Sequence, residues 1–196
     1  MPVLDRRPRL LLLNASLAGD AGNTAILFAE AQALLAPHAD LKSVTLAHDS
    51  ADFSSLLPVL ANADGFLFGT GTHWDSWSSV LQKFLEDATP AEGTSLWLGK
   101  PAAVLVSEHS TGGKGVLSRL QGVLVTLGCN IPPMSGLVLS RAAMIAAQHD
   151  APASRDFWCR DDLAIVCHNL VESAAGTQRW KTWPVDRTDF TDCWVR

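Results

Sequence analysis

Five times along this chain a short, mostly apolar run gives way to a segment whose apolar residues recur at helical spacing. The runs are "RLLLL" (9–13), "LKSVTLA" (41–47), "DGFLFG" (64–69), "PAAVLVS" (101–107) and "GLVLS" (136–140). Each is too short for a stable helix. Those that are apolar throughout suit strands buried on both faces. In the second run Val44 and Leu46 fall on one face, as in a strand buried on one side.

The intervening helices are marked by Leu27, Ala31, Leu34 and Leu35, stopped at Pro37; by a short segment at 52–62; and by Val80, Leu81, Phe84, Leu85 and Ala88, stopped near Pro90. Val116, Leu120, Val123, Leu124 and Leu127 predict a helix ending at Gly128. Leu163, Val166, Cys167, Leu170, Val171 and Ala174 predict the last, ending near Gly176. Such alternation implies an α/β fold, a parallel five-stranded sheet covered by helices on both faces. Right-handed crossovers favour the strand order 2-1-3-4-5. Ligands of such sheets bind beyond the carboxyl ends of the strands, where the order reverses. Three loops therefore matter: 14–23, 70–78 and 108–114.

With 196 residues, 47% of them hydrophobic, the chain is expected to form one domain over 1–196. Its core would lie in 9–176. The tail, 177–196, carries three tryptophans and no periodicity, and is expected to pack on the domain or, preferably, on a partner chain. A net charge of −5 argues against nucleic-acid binding. The apolar run at 10–13 is too short for a signal-peptide core, and no stretch is long enough to span a bilayer. A cytoplasmic location is expected, which makes the "NAS" sequon at Asn14 incidental. Cys129, Cys159, Cys167 and Cys193 match no metal spacing, so neither a metal nor a disulfide is assigned.

The first loop, "NASLAGDAGNT", carries Ser16 and Gly22 and ends in Asn23 and Thr24 at a helix start. Helix-start amides lack intrahelical acceptors and sit at the positive end of the dipole, so a phosphate fits there. The alternative is that Asn23 merely caps the helix. The pattern is neither GxxxxGK[ST] nor GxGxxG.

In the second loop, "GTGTHWDSWSS", Thr72, His73, Trp74 and Asp75 follow the third strand, and Ser76 is expected to cap the next helix. Trp77 is read as closing the core and Trp74 as stacking on a planar ligand. In the third, "SEHSTGGKG", Ser107, Ser110, Thr111, Gly112 and Gly113 offer hydroxyls and bare amides. The alternative is a loop capped by Ser110 or Thr111. Glu108 and His109, being adjacent, make a poor acid–base pair. A phosphate cradle, a flat wall and a row of amides suit a mononucleotide with an aromatic head, FMN before others.

In this order the three loops resemble the flavodoxin-like NAD(P)H-dependent FMN reductases and quinone reductases, including tryptophan-repressor-binding-protein-like enzymes. The matching segments are Ser16 with "GNT", "GTHWDSWSSVLQKFLED" and "GKPAAVLVSEHSTGGKG", and the likeness runs over residues 9–140. It implies a flavodoxin-like αβα sandwich. It also implies that Ser16, Gly22, Asn23 and Thr24 hold the FMN phosphate. Thr72, His73, Trp74, Asp75 and Ser76 would line one side of the ring, and Ser107, Ser110, Thr111, Gly112 and Gly113 its other edge. Gly71 stands where the family has Pro, and His73 where it often has Tyr.

The activity so implied is hydride transfer from NAD(P)H through FMN to a quinone, flavin or similar small acceptor, by a homodimer or homotetramer. Flavin-based chemistry needs no catalytic side chain, and Lys114 is at most an electrostatic aid. The competing expectations are a flavodoxin-type electron carrier, a serine hydrolase built on Ser16, His109 and Asp75, and a ligand-free interaction module.

Overall fold

The structure, a computed structural model, describes residues 5–47, 53–149 and 158–177. The tail expected to pack on a partner lies outside these residues, apart from Thr177, as does Cys193. Five strands, β1 (Arg9–Asn14), β2 (Asp40–Thr45), β3 (Gly65–Gly71), β4 (Ala102–Glu108) and β5 (Gly136–Ser140), form one sheet in the order β2-β1-β3-β4-β5. Every pairing is parallel, with Leu12 opposite both Ser43 and Leu67. This is the flavodoxin-like order that the sequence predicts.

Alternation along the strands sorts the core into two layers. Leu11, Leu13 and Ala15 face α2 (Phe53–Asn62), α3 (Ser79–Ala88) and α4 (Gly113–Leu127), while Leu10 and Leu12 face α1 (Asn23–Leu35) and α6 (Leu163–Ala175). The first layer is centred on Trp97, fully buried, 5.0 Å from the Phe66 ring and 6.3 Å from that of Phe84. The strand β2 lies at the sheet edge, where only Val44 is buried.

Helix ends fall where the sequence places them. Gly128 and Gly176 take left-handed conformations, φ 117° and 79°, and close α4 and α6. Leu34, expected on the buried stripe of α1, turns outward, while Leu35 and Ala31 carry the contact. A sixth helix, α5 (Arg141–His149), follows β5 directly and was not expected. Its Met144 and Ile145 are exposed, so it has no buried stripe to betray it. Cys167 is a core thiol as expected, and burial pushes it and Cys129 up to about 12. Both stay protonated at neutral pH.

Candidate functional site

The three loops meet at the carboxyl ends of β1, β3 and β4. Thr24 Oγ1 and Ser107 Oγ lie 3.3 Å apart, the Thr72 amide donates to Ser107 O at 2.9 Å, and Ala15 N donates to Gly69 O at 2.8 Å. Gly69 lets α1 lie flat on the sheet here. A Cβ on it would come within 2.5 Å of the Phe28 ring and 2.7 Å of Thr24.

In the first loop Asn14 folds the chain back. Its carboxamide donates to Gly19 O (3.2 Å) and accepts from Ser16 N (3.1 Å). Helix α1 then starts without a side-chain cap. Its N-cap is Gly22, so Asn23 is the first helical residue and not the cap that the alternative reading made it. The amides of Asn23 and Thr24 have no acceptor among the described residues. Ser16 Oγ stands beside this helix start, 2.5 Å from where a Cβ on Gly22 would be. Asp20, in the same loop, accepts a bond from Thr45 Oγ1 at 2.7 Å. An uncapped helix start with a glycine and a buried serine is a cradle for a small anion.

The second loop is a tight turn. His73 and Ser76 exchange backbone bonds of 2.8 and 3.0 Å, and between them Trp74 and Asp75 adopt φ of 48° and 57°, as a type I′ turn requires. Side chains in that region cost about 1 kcal/mol each, Asp less than Trp. Trp74 is wholly exposed at the tip. Ser76 does not cap α3. The cap is Ser78, two residues on, whose Oγ accepts from Leu81 N (3.2 Å) and donates to Ala15 O (2.5 Å). Ser78 thereby ties the second loop to the first, a role invisible among three neighbouring serines. Trp77 packs partly on the core, as expected, and its Nε1 donates to Gln82 Oε1 at 2.8 Å.

In the third loop Gly112, at φ 95°, is the N-cap of α4, and neither Ser110 nor Thr111 caps it. A Cβ on Gly112 would come within 2.1 Å of Asp75 Oδ1, so the aspartate rests directly on this glycine. The Gly113 amide, expected to be bare, is taken by Glu108 Oε2 at 2.5 Å. Ser140 Oγ and Ala142 N anchor the loop backbone at Ser110 O and His109 O, 3.4 and 3.0 Å away. His109 Nε2 lies 3.3 Å from Arg141 Nη1, and Lys114 Nζ sits 4.4 Å over the Trp158 ring. Ser16 Oγ accepts from Ala18 N at 3.3 Å and His109 faces Arg141, and no hydrogen bond links Ser16, His109 and Asp75 among the described residues, so they form no triad.

One buried polar atom at this junction is unsatisfied. Thr72 Oγ1 has no hydrogen-bond partner among the described residues, although Gly71 before it pairs with Ser107 of β4 and His73 after it pairs with Ser76. A buried hydroxyl left unpaired costs about 1–3 kcal/mol, which a polar ligand would recover.

The sequence profile of the NADPH-dependent FMN reductase family matches residues 8–143, which hold all three loops. The chain belongs to that family. An NAD(P)H dehydrogenase (quinone) from Chelativorans sp. (strain BNC1) is 37% identical over 79 residues. That match spans 39% of this chain and 39% of the relative. Among solved structures, RosB with bound 8-demethyl-8-formylriboflavin-5′-phosphate superposes with a TM-score of 0.70 at 16% identity, covering 96% of this chain and 94% of its own. The apo form of the NADH:FMN oxidoreductase EMOB gives 0.62 at 17% identity, covering 89% and 91%. A WrbA-like flavodoxin from Agrobacterium tumefaciens gives 0.59 at 16% identity, covering 89% and 100%. At such identities these structures share the fold.

The family is described as NADPH-dependent FMN reductases, and the residues present here suit FMN. The uncapped start of α1 answers a phosphate, and the orphaned Thr72 hydroxyl answers a polar edge.

Proposed function

We propose that the protein binds FMN across the three loops and uses it to oxidise NAD(P)H and reduce a quinone, a free flavin or a similar small acceptor. The observation that carries this reading is the convergence of an uncapped helix start, the Thr24–Ser107 pair and the orphaned Thr72 hydroxyl at one end of the sheet. When bound, FMN supplies the hydride chemistry.

The chain's own residues bind and orient. Ser16 Oγ, the amides of Asn23 and Thr24 and the Thr24 hydroxyl hold the phosphate, with Gly22 leaving room for its approach. Thr72, His73, Trp74, Asp75 and Ser76 form one wall, Trp74 offering a flat face. Ser107, Ser110, Thr111, Gly112 and Gly113 form the opposite edge. Because Glu108 occupies the Gly113 amide, donors for charge on that edge come from the preceding backbone, and Gly113 contributes by keeping the approach open. No side chain is needed as a general acid or base.

A homodimer or homotetramer fits the outer face of α3 and α4. A cavity of about 640 Å³ opens there, lined in part by Trp77, Leu85, Val123 and Leu127. Gly115 and Gly122 stand on α4 with nothing within 4 Å of an added Cβ. Of these two exposed glycines, Gly122 is mid-helix, where it costs stability in a monomer and suits close packing of a second helix. A cytoplasmic location is supported by the free thiols of Cys129, Cys159 and Cys167. Among the described residues no helix is long and apolar enough to cross a membrane.

The full chain, purified and mixed with FMN, is expected to retain a flavin spectrum and to oxidise NADPH faster when a quinone is added. Failure to take up FMN overturns the reading. Fast one-electron exchange with negligible NADPH oxidation turns it into that of an electron carrier.

A further inference from the structure

We propose that Arg119 is a positioning residue that clasps the second and third loops together and holds the turn bearing Trp74 in one conformation. The proposal rests on the FMN reading of this site and adds to it a residue from outside the three loops.

Arg119 lies on α4, beyond the third loop, with its side chain reaching back over the second. Its Nη2 donates to the carbonyl of Asp75, its Nε donates to Gly115 O at 3.3 Å, and its guanidinium carbon lies 5.6 Å from the centre of the Trp77 ring. The Asp75 carbonyl belongs to a residue at φ 57°, and the ladder bonds of the turn run only between His73 and Ser76. The same aspartate rests its Oδ1 on the bare backbone of Gly112. The turn is therefore gripped from one helix at two points, by the guanidinium and by the glycine that caps that helix.

The tip so restrained buries nothing of its own. Trp74 is fully exposed and held at φ 48°, a conformation that a bulky side chain avoids. Two grips on a turn whose tip is unburied among the described residues make sense as preorganisation, which lowers the ordering cost when a planar ligand arrives. The chemistry also selects arginine. A planar guanidinium can lie over the Trp77 ring while its edge donates to a carbonyl, with its donors fixed in one plane as those of a flexible ammonium are not.

The test has two arms on the full chain. In the first, amide hydrogen exchange is measured without flavin. In R119A the Ser76 amide, which donates to His73 O at 3.0 Å, is expected to exchange about tenfold faster, R119K falling between, with Val104 in β4 unchanged. Unaltered Ser76 exchange in R119A overturns the clasp. In the second arm FMN is titrated. R119A is expected to weaken binding about fivefold in the wild-type background and not at all in W74A, as residues acting through one contact do. Losses that simply multiply overturn action through the turn. If the wild-type chain takes up no FMN, the flavin reading falls, and Ser76 exchange alone decides the clasp.

Discussion

Thr24 Oγ1, at the start of α1, stands 3.3 Å from Ser107 Oγ at the end of β4, although 83 residues separate them in the chain. The pair joins the first loop, proposed to hold the phosphate, to the third, proposed to border the ring. Replacing both Ser16 and Thr24 by Ala is expected to weaken FMN binding about a hundredfold, since each lost donor to a charged group is worth about 1.5 kcal/mol. Ser107→Ala should cost less, and combined with Thr24→Ala should cost less than the sum, because the two hydroxyls share one bond. Fluorescence titration of the flavin measures all of these, and unchanged affinity in the Ser16/Thr24 double variant overturns the cradle.

Thr72 gives a prediction of opposite signs. Its Oγ1 is buried and unpaired among the described residues. Thr72→Val keeps the shape and removes the unpaired hydroxyl, so the flavin-free protein is expected to gain about 1 kcal/mol of stability. The same change is expected to weaken FMN binding about fivefold, since the hydrogen bond the ligand would make is gone. Urea unfolding without flavin and titration with it read the two effects separately. A loss of stability in the flavin-free protein would mean that the hydroxyl already has a partner.

Residues with a repeating environment were legible in the sequence, and residues defined by one long-range contact were not. Leu10, Leu11, Leu12 and Leu13 announce a strand buried on both faces because both neighbouring layers are apolar. Gly128 and Gly176 announce helix ends because a left-handed residue is needed there. The cap of α3 falls on Ser78 and not on Ser76 because Ser76 closes the turn with His73 while Ser78 is anchored to Ala15, from another part of the chain. Glu108 and Arg119 escaped for the same reason. Their roles depend on the Gly113 amide and the Asp75 carbonyl, which no spacing rule connects to a charged side chain. Helix α5 had no signal, since its apolar Met144 and Ile145 face outward.

Glycines in and just before α4 separate site from surface. Gly112→Ala places a methyl on a backbone at φ 95° and against Asp75, and is expected to cost about 2 kcal/mol of stability as well as FMN affinity. Gly122→Ala meets nothing within 4 Å in one chain and should stabilise a monomer by about 1 kcal/mol. If a second copy packs on this face, the same alanine should instead shift the dimer toward monomer. Sedimentation and thermal unfolding of the two variants, run side by side, tell these outcomes apart.

Asp64 lies at the amino ends of the strands, the end of the sheet opposite the site, and is expected to contribute to acid unfolding. Burial alone would raise its pKa. The Arg6 guanidinium at 2.7 and 2.9 Å, the Arg9 amide at 2.7 Å and the Arg9 guanidinium at 3.5 Å overcome that and hold it at about 2, against an ordinary 3.8. A carboxyl with a depressed folded-state pKa stabilises the fold fully above its unfolded value. That contribution is lost as pH falls from about 4 to about 2. With Arg6 open to solvent, the contribution is about 1 kcal/mol, well short of the unscreened value. Asp64→Asn should therefore lower stability by that amount at pH 7 and flatten its pH dependence between 4 and 2. Urea midpoints for both proteins across this range decide the matter: parallel curves would show that Asp64 has no part in acid unfolding.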